Sequence, residues 1–307
     1  MTEILFNTMD VSKMLQVDKS TVKRWTDEGK LKCFRTPGGH RKFRAEDLYQ
    51  FMSDYNYGIS PINLYPQFAN DEAIIRRIIT RKEFNVLVNV CFAASINGRT
   101  DELVKLFAEV YKNGLTLPLL FDEILRPTLN RISDVNISGK LSSGEMQLAI
   151  NTLSNGVVLL SEIIVKPTPT GKKAICATLD AGMRDTELKA LAVLLESEGY
   201  EVLNLGTGAS ANTINQLIES RKPQFVFLYT LSGSNKEQFF QTINMLAITA
   251  ASFGAKLVVG GNVSKPRTES DEAPASSAGS WVTFKDLANI HHEAVSIQDA
   301  SHIENRN

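Results

Sequence analysis

Residues 9–52 read MDVSKMLQVDKSTVKRWTDEGKLKCFRTPGGHRKFRAEDLYQFM, and this stretch decides how the chain begins. A short helix is expected from Thr8, acting as its cap, to about residue 15. Asp18 to Ser20 restarts the chain, and a second helix runs from about residue 19 to 28, where Gly29 stops it. Two extended arms, residues 30–34 and 41–43, then flank Pro37-Gly38-Gly39 as a hairpin with a flexible tip. Residues 45–53 return to helical periodicity, with Leu48, Phe51 and Met52 on one face. Between residues 13 and 44 stand ten Lys or Arg side chains against three acids, Asp18, Asp27 and Glu28, a net charge of +7.

A short helix, a turn, a second helix and a basic hairpin form a DNA-reading arrangement. The second helix can enter the major groove with Ser20, Thr21, Lys23 and Arg24 near base edges or phosphates, while Val22 and Trp25 form its buried side. The hairpin can lie on the backbone or reach the minor groove through Arg35, His40, Arg41 and Lys42. A basic run by itself is as readily a solvated face. Here the run coincides with the turn, the hairpin and the glycine tip. The string resembles the winged helix-turn-helix of the MerR superfamily, and RTPGGHRKFRAEDL, residues 35–48, is among that family's more specific signatures. The resemblance implies double-stranded DNA as partner and makes His40 a wing residue, not a catalyst or metal ligand. Metal sensors of that superfamily follow the reader with a long coiled coil and cysteine ligands. Neither is visible here, so metal sensing is not expected.

Outward from this reader the chain divides further. Residues 1–54 are expected as the DNA-binding domain and 55–70, with two prolines and few charges, as a linker. Residues 71–166 are helical throughout, with segments near 71–80, 83–95, 99–112, 116–134 and 141–165 broken at Gly98, Gly114 and Gly139; a helical bundle is the simple reading. Residues 167–171, PTPTG, mark a second boundary. After it, strands near 173–179, 200–205, 224–230 and 256–259 alternate with helices near 186–199, 211–220 and 237–253. That rhythm predicts a parallel sheet with helices on both faces over residues 172–298. Residues 264–280 read as a disordered insertion, residues 281–297 as a short extended piece and a helix, and the last ten residues as frayed.

This order, reader then bundle then α/β domain, resembles the cobalamin-binding regulators of light-dependent carotenoid genes. The implied fold class is multidomain: a winged helix-turn-helix, an all-α bundle, and a Rossmann-like, cobalamin-binding-domain-like α/β sheet. In that family adenosylcobalamin sits between the last two domains, a histidine in an Asp/Glu-x-His-x-x-Gly loop ligates cobalt, and a Trp and a Glu-His pair of the bundle cover its upper face. This sequence departs at each of those positions. Asp180 fits the loop, but Gly182 stands in place of the histidine and Asp185 in place of the glycine. In VNISGKLSSGEMQLA, residues 135–149, Asn136 falls at the Trp position and Met146 and Gln147 at the Glu-His pair. The four histidines are 40, 291, 292 and 302, so no imidazole between residues 41 and 290 can ligate a metal. The expectation is a fold kept and a cofactor site lost, with no cofactor; cobalamin held without a protein ligand is the alternative. The cleft at the carboxyl ends of the strands, rimmed by Asp180, Arg184, Thr207, Ser232, Ser234, Gly260 and Gly261, is a candidate effector site. The bland alternative is that these are turn and cap residues.

The totals bound the rest. In 307 residues, 33 Lys or Arg oppose 34 Asp or Glu, but residues 1–53 carry ten cations and seven acids, and the remainder 23 and 27. A near-neutral total therefore conceals a basic reader on an acidic body. Cys33, Cys91 and Cys176 lie far apart, which fits a reducing cytoplasm and gives no zinc spacing. No signal peptide and no membrane span is expected. No Ser-His-Asp or Cys-His set is present, so an enzyme is not expected. The expected function is a promoter-blocking repressor acting as a homo-oligomer, answering to an effector, a partner protein on the C-terminal domains, or neither.

Overall fold

A computed structural model of the chain describes residues 5–15, 17–44, 47–48, 51, 54–55, 72–181, 185–230, 236–261, 281–284 and 286–287. The linker 55–70 beyond Tyr55, the insertion 264–280, the helix expected after residue 287, and the chain end lie outside the described residues, as does most of the 45–53 helix. The chain divides into two compact units, residues 1–160 and 161–307.

The first unit opens with β1 (Leu5–Asn7), α1 (Thr8–Leu15) and α2 (Lys19–Asp27), followed by β2 (Phe34–Arg35) and β3 (Arg41–Arg44). The strands form an antiparallel sheet in the order β1-β3-β2. Three details differ from the sequence expectation. Strand β1 was not anticipated: it is three residues long and exists because Phe6 lies opposite Phe43, both fully buried. The cap of α1 is Asn7, not Thr8. Asn7 Oδ1 accepts from the Met9 and Asp10 amides at 2.7 and 2.9 Å, and Asp10 Oδ2 accepts from the Asn7 amide at 2.9 Å, a reciprocal capping box. The first hairpin arm is also shorter than expected, because residues 30–31 still belong to the helix stop. Gly29 adopts φ +70° and the Lys30 amide reaches back to the Trp25 carbonyl at 2.9 Å.

The helical part comprises α3 (Glu72–Arg81), α4 (Asn85–Ile96), α5 (Thr100–Lys112), a helix of mixed type over residues 117–137, and α6 (Ser143–Leu160). Residues 86–95 of α4 are all buried, so it runs through the centre, with α5, α6 and residues 126–137 packed around it. At Gly156 an added Cβ would lie 3.3 Å from Leu103 Cβ, so glycine lets α6 approach α5 closely. Within 117–137, Phe121–Leu125 is a π-turn. Pro127 explains it: without an N–H it cannot bond to residue 123, and the Arg126 amide bonds instead to the Phe121 carbonyl five residues back.

The second unit contains β4 (Lys173–Thr178), α7 (Thr186–Ser197), β5 (Glu201–Thr207), α8 (Ala211–Arg221), β6 (Phe225–Thr230), α9 (Lys236–Ser252), β7 (Lys256–Gly261) and β8 (Trp281–Phe284). All five strands are parallel, in the order β5-β4-β6-β7-β8. By strand sequence this is 2-1-3-4-5, the flavodoxin-like doubly wound order. Alternate residues Ile175, Ala177, Val226, Leu228, Leu257 and Val259 meet Ile214 and Ile218 of α8 and Ile243, Leu246 and Ala250 of α9 on one face. Helix α7 packs on β4 and β5 outside that cluster. Among the described residues no helix is long and apolar enough to cross a membrane.

Candidate nucleic-acid interface

All eight residues expected to meet DNA are described. Ser20, Lys23 and Arg24 are exposed on α2 and Thr21 is half-buried, while Val22 is fully buried and Trp25 is 9% exposed, with its ring 5.0 Å from that of Phe51. Helical spacing therefore sets one apolar edge into the domain and leaves 20, 23, 24 and 27 outward. Asp18 begins the helix: its Oδ1 accepts from the Ser20 amide at 2.7 Å. Hydrogen bonds from Ser20, hydroxyl first and then amide, hold the Asp18 carboxyl below its ordinary range.

The wing is built by a three-residue turn. The Gly39 amide bonds to the Thr36 carbonyl at 2.8 Å and the Thr36 amide to the His40 carbonyl at 3.0 Å. Pro37 fits the second turn position, and Gly39, at φ +77°, supplies the left-handed residue that restores strand pairing. Arg35 and His40 are exposed and Lys42 is half-buried. A cleft of about 400 Å³ is lined by Asn7, Thr8, Met9, Thr36, His40, Arg41 and Lys42, which places the start of α1 beside the wing.

Two acids organise the cations. Glu28 pairs with Lys30 at 2.6 Å and with Arg24 at 3.9 Å, and the Lys30 ammonium holds the Glu28 carboxyl below its usual range. Asp27 takes Arg41 at 2.5 Å and Arg35 at 3.6 Å on the same oxygen. Sequence reasoning passed over Asp27. The available signal was an acid at the end of a helix inside an otherwise cationic run, on the outward face and next to the hairpin.

In the α/β unit, Asp180, Thr207, Gly260 and Gly261 lie at the carboxyl ends of the strands; Arg184, Ser232 and Ser234 fall outside the described residues. In this strand order the switch point lies between β4 and β6. There the Thr230 hydroxyl donates to Asp180 Oδ2 at 2.9 Å, bridging the two strand ends. At Gly261, φ +100°, an added Cβ would lie 1.8 Å from the Thr230 carbonyl oxygen. At Gly208, φ +73°, an added Cβ would lie 3.0 Å from Ala181 Cβ, a looser but still tight approach. These glycines are therefore demanded by strand and loop approach. In the bundle, Asn136 Nδ2 donates to the Leu141 carbonyl at 2.9 Å and Gln147 Nε2 to Asn151 Oδ1 at 3.0 Å. Residues at the positions where the resembled family contacts its corrinoid thus make local structural bonds. Together with the histidine-free run 41–290, they do not fit an imidazole-ligated cobalt.

The comparisons with known proteins divide in the same way. Residues 5–55 match the family model described as a helix-turn-helix domain. The transcriptional repressor DcmR of Methylorubrum extorquens is 38% identical over 60 residues, 19% of this chain and 23% of that repressor. The match thus spans about a quarter of the relative's length. The monomethylamine corrinoid protein of Methanosarcina barkeri has a TM-score of 0.52 at 14% identity, over 67% of this chain and 96% of that one. That share exceeds what residues 161–307 alone can supply, and the likeness is one of fold. The chain is therefore a helix-turn-helix DNA-binding domain joined to helical and parallel α/β regions with the fold of a corrinoid protein.

Proposed function

We propose that this protein is a sequence-specific transcription regulator that represses by occupying promoter DNA as a homo-oligomer. The observation that carries the proposal is the +7 segment folded as helix, turn, helix and wing, with Ser20, Lys23 and Arg24 exposed and Thr21 half-buried on α2, and Arg35, His40 and Lys42 on the wing. The helix reads base edges in the major groove and the wing holds the backbone. The similarity to a named repressor, over 60 residues of this chain, supports repression over activation. One reader buries little surface, so two or more copies on repeated half-sites supply useful affinity. The bundle and α/β domain serve as the assembly and control body. It has a corrinoid-protein fold with no histidine between residues 41 and 290 to ligate cobalt, and the carboxyl ends of its strands are where another effector would bind.

Two experiments test this. In a gel shift, the Arg35→Ala/Arg41→Ala double variant binds duplex at least about tenfold more weakly than wild type; unchanged binding refutes the wing's role. In equilibrium dialysis against adenosylcobalamin the chain retains no corrinoid and leaves its absorption bands unmoved; stoichiometric retention refutes the lost site.

A further inference from the structure

We infer that the Asp27–Arg41 pair is the strut that sets how far the wing stands from the recognition helix, so that both residues position the DNA-binding surface and Arg41 is not a phosphate ligand. The inference rests on the DNA-reading function proposed above. Asp27 is the last residue of α2 and Arg41 the first of β3, 14 positions on, and Arg41 Nη2 donates to Asp27 Oδ1 at 2.5 Å. Strand β3 is the central strand of the reader's sheet: Arg41 lies opposite Arg35 of β2, and Lys42 lies between Phe34 of β2 and Asn7 of β1. Whatever fixes Arg41 therefore fixes the whole wing against the helix.

Enclosure separates Arg41 from its neighbours. Its side chain is 13% exposed, against 58% for Arg35, which stands 3.6 Å from the same carboxylate. Arg41 Nε is buried without a hydrogen-bond partner, so Asp27 is the anion that compensates this cation. To reach a phosphate, Arg41 would have to leave Asp27 and its largely enclosed position. Arg35 can swing outward at little cost. Asp27 itself is 59% exposed, so only the Arg41 side of the pair is enclosed; removing Asp27 leaves that guanidinium without its ion-pair partner, and the hairpin shifts to solvate it. Simple electrostatics predicts the opposite sign, since deleting an acid beside a polyanion should strengthen binding.

That difference of sign defines the experiment. Full-length wild type, Asp27→Asn, Arg41→Gln, the double variant and Asp27→Glu are titrated by fluorescence anisotropy at several salt concentrations. The probes are a duplex selected by the wild-type protein from a random library and a random-sequence duplex of the same length. Each single neutral variant is expected to lose about tenfold on the selected duplex with the salt slope of wild type. The double variant loses no more than either single, and Asp27→Glu recovers most of the loss. Asp27→Asn binding as tightly as wild type, or more tightly, overturns the proposal. So does an Arg41→Gln slope reduced by about 0.9, the signature of a lost phosphate contact. A wild-type chain that binds neither duplex overturns the DNA reading itself and the proposal with it, whereas wild-type binding that the strut variants leave intact overturns the proposal alone.

Discussion

Salt dependence follows from how the reader's cations are partnered. The proposed contact set contains the permanent cations Lys23, Arg24, Arg35 and Lys42, with Arg41 withheld by Asp27. Each phosphate neutralised contributes about −0.9 to the slope of log affinity against log salt, so one reader gives about −3.6. Raising salt from about 50 to 200 mM then weakens one reader about 150-fold, and a pair acting together about 2 × 10⁴-fold. Lys23→Gln removes one contact, bringing the slope to about −2.7 per reader and the salt loss to about 40-fold. Lys23 suits this perturbation because it is exposed on α2 and takes part in none of the four ion pairs that Asp27 and Glu28 make. Fluorescence anisotropy of a labelled duplex across the salt series measures both slopes. A flat dependence for wild type, or a slope that Lys23→Gln leaves untouched, refutes the assignment of the outward face of α2 to DNA.

Other parts of the molecule give sharper structural outcomes. Gly261→Ala forces a Cβ to within 1.8 Å of the Thr230 carbonyl oxygen at φ +100°; overpacking and backbone strain together cost about 3–5 kcal/mol and lower the unfolding midpoint of the α/β unit by roughly 10 °C. Gly171→Ala, at φ +76° with open space around it, costs only about 1–2 kcal/mol, and equal effects for the two in calorimetry would contradict the close strand approach. Thr230→Val removes the bond to Asp180 and lowers stability by about 1 kcal/mol in a denaturant titration, leaving DNA affinity unchanged; a loss of DNA affinity would show that the switch point bears directly on the reader. Burial raises the Cys91 and Cys176 thiols far above the ordinary range, so both stay protonated and unreactive at neutral pH, whereas Cys33 is half-exposed. A thiol reagent should therefore modify one cysteine in the native chain and three after unfolding; fast modification of all three in the native state would contradict the burial.

Much of this was legible in the sequence because its signals are local. Gly29, Gly98, Gly114 and Gly139 mark helix ends, and each takes a positive φ, from 68° at Gly98 to 92° at Gly114. The alternation after residue 172 gave the parallel sheet for a similar reason, since short apolar strands and intervening helices carry their own periods. What escaped depends on partners far away in the chain. Strand β1 has no pattern of its own and is fixed by Phe43, 37 positions on from Phe6. The α1 cap lay between two adjacent cap-forming residues, Asn7 and Thr8, and Asp10 decided it by closing the box on Asn7. The Asp180–Thr230 bridge joins residues 50 apart, and no spacing rule announces it. Arg41 was grouped with Arg35 by residue type. Its enclosure at 13% against 58% belongs to the packed wing and cannot be read from the side chain's identity.

The central claim is that residues 5–55 give this chain a sequence preference on duplex DNA. Selection from a random duplex library by the full-length protein, repeated with a Lys23→Ala/Arg24→Ala variant, tests it most directly. The account predicts a discrete motif that recurs as spaced half-sites for wild type and vanishes for the variant. Recovery of no motif by wild type, or of the same motif by both proteins, would contradict it.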